Sequence, residues 1–211
     1  MKPISAQITV PVQYKYEDRG SSLLILLHGF QQTHETMWDA FEPFFPEDHA
    51  ILSLAGPFLV PVQKEDKYEK GYSWYFFDTK DQKFLVDMSP AIEYVGSALE
   101  TLGLVDRNKT VIGYSQGGYF APFLSKQLKF VQSVGLISAR VRLDGVTTPF
   151  PFPIFCTHGE RDTIVDYALS KESYERLSNM GQKGDFKGVD GLGHRLRSEL
   201  IQPMMGMISK A

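Results

Sequence analysis

Cysteine is all but missing. Cys156 is the only one in 211 residues, so no intramolecular disulfide can form and nothing points to an oxidising compartment. It closes the apolar run Pro153-Ile154-Phe155-Cys156, where a thiol packs as a small hydrophobe. Long hydrophobic runs are missing too. The longest fully apolar stretch, Leu23 to Leu27, is far too short to cross a bilayer, and Met1 to Gln7 lacks the apolar core of a secretion signal. A soluble, cytoplasmic chain without stable membrane insertion is the expectation. Neither charge dominates: 22 basic against 25 acidic side chains leave a formal charge of -3. With no basic cluster either, no nucleic-acid partner is expected. The charge-rich run from Lys64 to Lys70 mixes both signs and reads as a solvated loop. No segment repeats at a fixed period, and the length suits one substantial core, so residues 1–211 read as a single domain.

Strand and helix patterns alternate along the chain. Ile8 to Tyr14 alternates as an edge strand, with Pro11 tolerable only at an edge. Leu23 to Leu27 is apolar on both faces, as a central strand covered by helices on each side must be. Thr33 or His34 opens a helix carrying Met37, Trp38 and Phe41, and Ala50 to Leu54 is the next strand. Ala55 to Asp81 is the least regular stretch and is rich in aromatics. Ser89 as cap, Pro90 at the first helical position and Ile92, Val95, Leu99 and Leu102 at helical spacing predict a helix that Gly103 ends. Further strands are expected at Thr110 to Ile112, Phe130 to Ser138, Ile154 to His158 and, weakly, Phe186 to Val189. Helices are expected after Ser115, from Tyr167 to Leu177 with Asp166 as cap, and from Leu196 to Ile208. Pro122 should kink the helix after Ser115 or displace its first turn. Such alternation predicts an α/β fold, a mostly parallel sheet with helices on both faces and reactive loops at the carboxyl ends of its strands.

Gly113-Tyr114-Ser115-Gln116-Gly117 lies where a strand pattern gives way to a helix pattern. A serine at so sharp a turn needs glycine two residues to either side, because its flanks nearly collide. With glycine and serine each at ~7% of positions, the pattern arises by chance in roughly one chain in fifteen of this length. The rest of the chain must therefore supply an acid and a base. Asp162 follows the strand Ile154 to His158, and His194 follows the last weak strand, in the order expected downstream of such an elbow. A serine hydroxyl needs a base that is unprotonated near neutrality, and imidazole serves; a buried carboxylate on its other nitrogen fixes the tautomer. Asp166 reads better as a helix cap. His158 reads as a hydrogen-bonded core residue, and His34 and His49 as surface residues. The alternation His158, Glu160, Asp162 stands without a second ligand group, so no metal and no cofactor are expected.

An oxyanion needs two donors. The Gln116 N–H is free at the first turn of its helix, and the Phe30 N–H, just past His28-Gly29, is the candidate for the second. Trp74, in the aromatic stretch, His28, above the site, and Arg140, after Ser138-Ala139, are the candidates for the substrate pocket. Aromatics around Phe76 and Phe77 serve equally as a pocket wall or a homodimer contact.

Together, Leu27-His28-Gly29-Phe30, Gly113 to Gly118, His158-Gly159-Glu160-Arg161-Asp162 and Gly193-His194 make the chain resemble the phospholipase/carboxylesterase branch of the α/β-hydrolases, which includes the acyl-protein thioesterases. The resemblance implies a compact hydrolase without a lid domain. It implies cleavage of small carboxylic esters or thioesters by Ser115, His194 and Asp162, with oxyanion donors at Phe30 and Gln116 and without a metal. The family commonly continues its first loop with a glycine and an aspartate, whereas Gln31-Gln32-Thr33 stands here. Other readings of the same residues are a receptor that keeps the scaffold without turnover, and a triad hydrolase acting on a peptide, lactone or carbon–carbon bond.

Overall fold

The computed structural model of the chain describes residues 9–210. In chain order the elements are β1 (Tyr14–Glu17), β2 (Ser22–Leu27), α1 (His34–Phe41), β3 (His49–Leu54), β4 (Phe58–Lys64), β5 (Lys67–Ser73), β6 (Phe76–Asp78) and β7 (Lys83–Val86). After these come α2 (Ser89–Thr101), β8 (Lys109–Tyr114), α3 (Gln116–Ser125), β9 (Val131–Ile137), β10 (Ile154–Gly159), α4 (Tyr167–Asn179), β11 (Gly184–Val189) and α5 (Ser198–Ile208).

Seven strands form the main sheet in the order β1-β3-β2-β8-β9-β10-β11. All pairs are parallel except β1 with β3. From β2 the chain steps outward to β3; from β8 it steps the other way through β9, β10 and β11. The crevice between β2 and β8 is therefore the topological switch point, where open parallel sheets place their reactive groups. Both central strands are apolar on both faces because both faces are covered. Leu23, Ile25 and Leu27 pack with residues of α2, α3 and α4, while Leu24 and Leu26 pack with those of α1 and α5.

The capping chemistry explains several boundaries. Thr33 forms a capping box with Thr36 at the start of α1, and the Asp166 carboxylate accepts the Leu169 N–H at the start of α4. At α2 the cap is not Ser89, which is the first helical residue; Asp87 Oδ1 accepts the Ser89 N–H at 2.8 Å, and Pro90 follows. Gly103, at φ 68°, leaves the helix in the left-handed conformation that glycine tolerates. α3 continues through Pro122 to Ser125, with Tyr119 N–H on Ser115 O and Lys126 N–H on Pro122 O. The Gly118 carbonyl is the one that loses its helical donor.

Further expectations are corrected. The first strand is Tyr14–Glu17, not Ile8 to Tyr14. Ile8 lies outside the described residues, and Thr9 to Gln13 are unassigned around Pro11, which has no N–H to give a ladder. Next, Ala55 to Asp81 is more regular than read: it holds the hairpin β4–β5 and the first strand of a second, β6–β7. Lastly, the charged run from Lys64 is solvated, but it is the turn and first half of β5 rather than a loop. Lys64 and Lys67 both reach Glu69 across it, at 2.8 and 3.1 Å. His34 and His49 are half-buried rather than at the surface.

Candidate active site

Ser115 stands at the carboxyl end of β8 with φ 50° and ψ −116°, a conformation rarely open to a side chain. Its neighbours permit it. A Cβ on Gly113 would strike the Gly117 carbonyl, and one on Gly117 would strike the carbonyls of Leu27 and His28 on β2 and the loop beyond. The second contact also shows how tightly the elbow is seated against the neighbouring strand.

His194 Nε2 lies 3.0 Å from Ser115 Oγ, and His194 Nδ1 lies 2.7 Å from Asp162 Oδ2. A carboxylate accepts, so Nδ1 carries the hydrogen and Nε2 is left with a lone pair facing the serine hydroxyl. The other carboxylate oxygen, Asp162 Oδ1, accepts the Ile164 and Val165 N–H groups at 2.9 Å each. Asp162 has no exposed side-chain surface, whereas His194 keeps 16%. The imidazole therefore sits between a buried anion and solvent. The Tyr114 ring underlies it at 5.3 Å, and burial pushes the Tyr114 phenol up to about 12. Two loops are clasped to bring the pair together: Arg161 N–H bonds Leu192 O at 2.9 Å, and a Cβ on Gly159 would strike that same Leu192 carbonyl. Gly159 in His158-Gly159-Glu160-Arg161-Asp162 is thus a close-approach glycine.

Beyond β2 the chain turns through Gly29 and Phe30, with Gln31 at φ 63°. Gln31 adopts a backbone that glycine would adopt freely, and Gln32 holds it there. Its side-chain Oε1 accepts the Gly29 N–H at 2.9 Å, its own N–H bonds Gly29 O, and Gln31 and Gln32 bridge to Tyr72 at 3.0 Å each way. Neither the Phe30 N–H nor the Gln116 N–H finds a partner among the described residues.

The pocket candidates land differently. Trp74 and His28 have no exposed surface, so neither walls an open pocket; both are struts. The indole Nε1–H donates to His28 O at 2.9 Å, and the ring stacks on Phe120 at 5.2 Å. His28 Nδ1–H donates to Gly29 O, and its Nε2 accepts the Gly56 N–H. Burial pulls this imidazole down to about 4, so it stays neutral. Arg140 is exposed on the loop after β9. Phe76 and Phe77 are half-buried, and Phe76 meets the exposed Phe30 edge-on at 6.5 Å. Cys156 is buried, which pushes its thiol up. Among the described residues no three His, Cys, Asp or Glu side chains converge to hold a metal ion.

Sequence reasoning overlooked the Gln116 side chain. Its Oε1 accepts the Trp74 N–H at 3.1 Å, and its Nε2 donates to Ser73 Oγ and to Tyr75 O at 3.0 and 2.9 Å. The segment Tyr72 to Tyr75 therefore ties the elbow to the loop after β2. A glutamine directly after the serine was the only signal, and it carries no direction.

A family model described as Phospholipase/Carboxylesterase matches residues 11–211. Acyl-protein thioesterase 1 homolog 1 of Dictyostelium discoideum is 36% identical over 58 residues, 28% of this chain. The match spans only 26% of that relative's length. The solved structure of esterase PE8 has a TM-score of 0.72 at 16% identity, over 97% of this chain and 99% of that one. Zea mays acyl-protein thioesterase 2 has a TM-score of 0.70 at 15% identity, over 96% and 99%. At such identities the likeness is one of fold.

Proposed function

The chain belongs to the phospholipase/carboxylesterase family, and from that premise we propose that it cleaves carboxylic esters or thioesters through an acyl-enzyme on Ser115. The observation that carries the reading is the continuous relay Ser115 Oγ, His194, Asp162, at 3.0 and 2.7 Å. Ser115 Oγ attacks the carbonyl carbon while His194 Nε2 takes its proton, a contribution of about 10²- to 10⁴-fold. The carbonyl oxygen becomes an oxyanion between the Phe30 and Gln116 N–H groups, each worth on the order of 10²- to 10³-fold in rate. Collapse expels an alcohol or thiol, which leaves with the proton held on His194. Water then attacks the acyl group with His194 again as base, and the acid departs. Asp162 keeps Nδ1 protonated throughout and steadies the imidazolium.

The same reading takes residues 1–211 as one domain and its setting as cytoplasmic. Among the described residues no helix is long and apolar enough to cross a membrane. The half-exposed Phe30 and the Phe76 ring beside it flank the serine on the β2 side and offer the acyl chain an apolar surface. Arg140, on the β9 side, meets the polar end of a small substrate.

Hydrolysis of p-nitrophenyl esters of increasing acyl length tests the reading. Turnover by the wild type that falls by about 10³-fold or more in Ser115→Ala supports it, and the length profile sizes the acyl surface. Equal turnover by both proteins rules the serine mechanism out.

A further inference from the structure

His158 is the penultimate residue of β10, and its side chain is 1% exposed. Its ring is stacked on Phe186 of β11 at 6.5 Å and set edge-on to Tyr167 of α4 at 5.9 Å. Nε2 lies 2.8 Å from the Val165 carbonyl, so it carries the hydrogen, and 3.2 Å from Asp162 Oδ2. That oxygen is the one His194 uses. Among the described residues Nδ1 is buried without a partner; a hydrogen there would have no acceptor among them, so the ring is neutral with Nε2–H. Burial lowers its affinity for a second proton.

We propose that His158 is a positioning residue of the relay: its Nε2–H, given to Val165 O and held with its nitrogen 3.2 Å from Asp162 Oδ2, sets how strongly that oxygen draws on His194. The proposal rests on the catalytic reading of Ser115, His194 and Asp162. Asp162 receives three N–H donors, two on Oδ1 and one on Oδ2, and His158 Nε2 stands 3.2 Å from Oδ2 as a further polar neighbour. Oδ1 is held by the backbone of the loop and fixes the carboxylate. Oδ2 faces two histidines. The bond to Val165 O also staples the end of β10 to the loop that supplies those backbone donors. The other titratable groups nearby are Tyr114 of β8 beneath His194, Tyr119 of α3, Tyr167 of α4, and Glu160, Arg161 and Arg195 in the loops. Of these, Tyr167 packs edge-on to the His158 ring, a contact that a phenylalanine at 158 keeps.

The test is the pH profile of kcat/KM on a p-nitrophenyl ester for wild type, His158→Phe and His158→Gln, with urea unfolding measured alongside. Phenylalanine keeps a ring against Phe186 and Tyr167 and removes the donor; glutamine returns an N–H near the position of Nε2. Without the donor, Oδ2 is left to His194 alone and stabilises its imidazolium more. The acidic limb of His158→Phe is then expected to move up by about half a pH unit, with His158→Gln back near the wild type. A limb that stays in place or moves down, whatever happens to stability, overturns the proposal. Should His158→Phe not fold, ¹⁵N NMR of wild-type imidazoles decides. A His158 protonated at Nε2 and bare at Nδ1 from pH 5 to 8 supports it, and a protonated Nδ1 overturns it. Failure of the underlying reading looks different: wild type then shows no acidic limb, or Ser115→Ala keeps its activity.

Discussion

Replacing Gln116 by alanine removes a side chain that touches no substrate, yet stability and rate should both fall. Trp74 has no exposed surface, and among the described residues its backbone N–H has Gln116 Oε1 as its partner. Truncation leaves that N–H buried and unpaired, a cost of about 1–3 kcal/mol. The carbonyl of Tyr75 loses Gln116 Nε2 but keeps Ser73 Oγ at 2.7 Å, so only the net value of one bond goes there, about 0.5–1.5 kcal/mol. The sum, about 1.5–4.5 kcal/mol, should appear as a lower urea midpoint with an unchanged slope. The loosened segment Tyr72 to Tyr75 also frees the elbow from the loop after β2, so kcat should fall by up to about 10²-fold, the scale of one oxyanion donor, with little change in KM. Gln116→Glu separates the two effects. It keeps an acceptor for Trp74 N–H, so it should unfold later than the alanine variant, but it sets a negative charge beside a developing oxyanion and should be the slower enzyme. Stability of Gln116→Ala within about 0.5 kcal/mol of wild type would refute the reasoning.

Gly117→Ala should displace β2 from the elbow, because its methyl meets two main-chain carbonyls that cannot rotate away. A loss of at least about 3 kcal/mol or insoluble protein is expected. Gly96→Ala in α2, which meets nothing within 4 Å, should instead gain up to about 1 kcal/mol by thermal unfolding; matching melts for the two would contradict the packing account. Acid stability follows from His28, whose folded value of about 4 lies below the 6.5 of a free imidazole. The unfolded chain binds the proton more tightly, so this contribution is complete above pH 6.5 and is lost as pH falls toward 4. The loss amounts to about 2 kcal/mol at pH 5. His158 and His34, both lowered by burial, act in the same direction. Urea unfolding at pH 7.5 and pH 5 measures it, and equal stability at the two values would show that His28 is not buried neutral.

What could be read from the sequence was what rests on local sterics and period. Five consecutive apolar residues from Leu23 mark a strand covered on both faces. A serine between two glycines marks a turn that nothing larger fits, and Asp166 ahead of an apolar helical stripe marks a cap. The order Ser115, Asp162, His194 followed from the alternation of strands and loops, since each residue lies in the turn or loop that follows a strand. The hairpins β4–β5 and β6–β7 were hidden because their turns lack the Asn-Gly type of signal: Glu65 and Gln82 take the positive φ instead, at 50° and 51°. Side-chain direction was hidden as well. Trp74 in an aromatic stretch looks the same whether it faces a cleft or stacks on Phe120 beneath one, and only the fold decides. His158 read correctly as a hydrogen-bonded core histidine. That its Nε2 lies 3.2 Å from Asp162 Oδ2 depends on a turn of backbone between residues 159 and 165 that no periodicity encodes.

The most direct measurement of the central claim is labelling with an organophosphorus ester such as a fluorophosphonate, followed by intact mass and peptide mapping. The account predicts one equivalent of adduct on Ser115 with fluoride released, activity lost in proportion to labelling, and no adduct on Ser115→Ala. Ester hydrolysis that survives complete labelling of Ser115, or an adduct that maps to another residue, would contradict it.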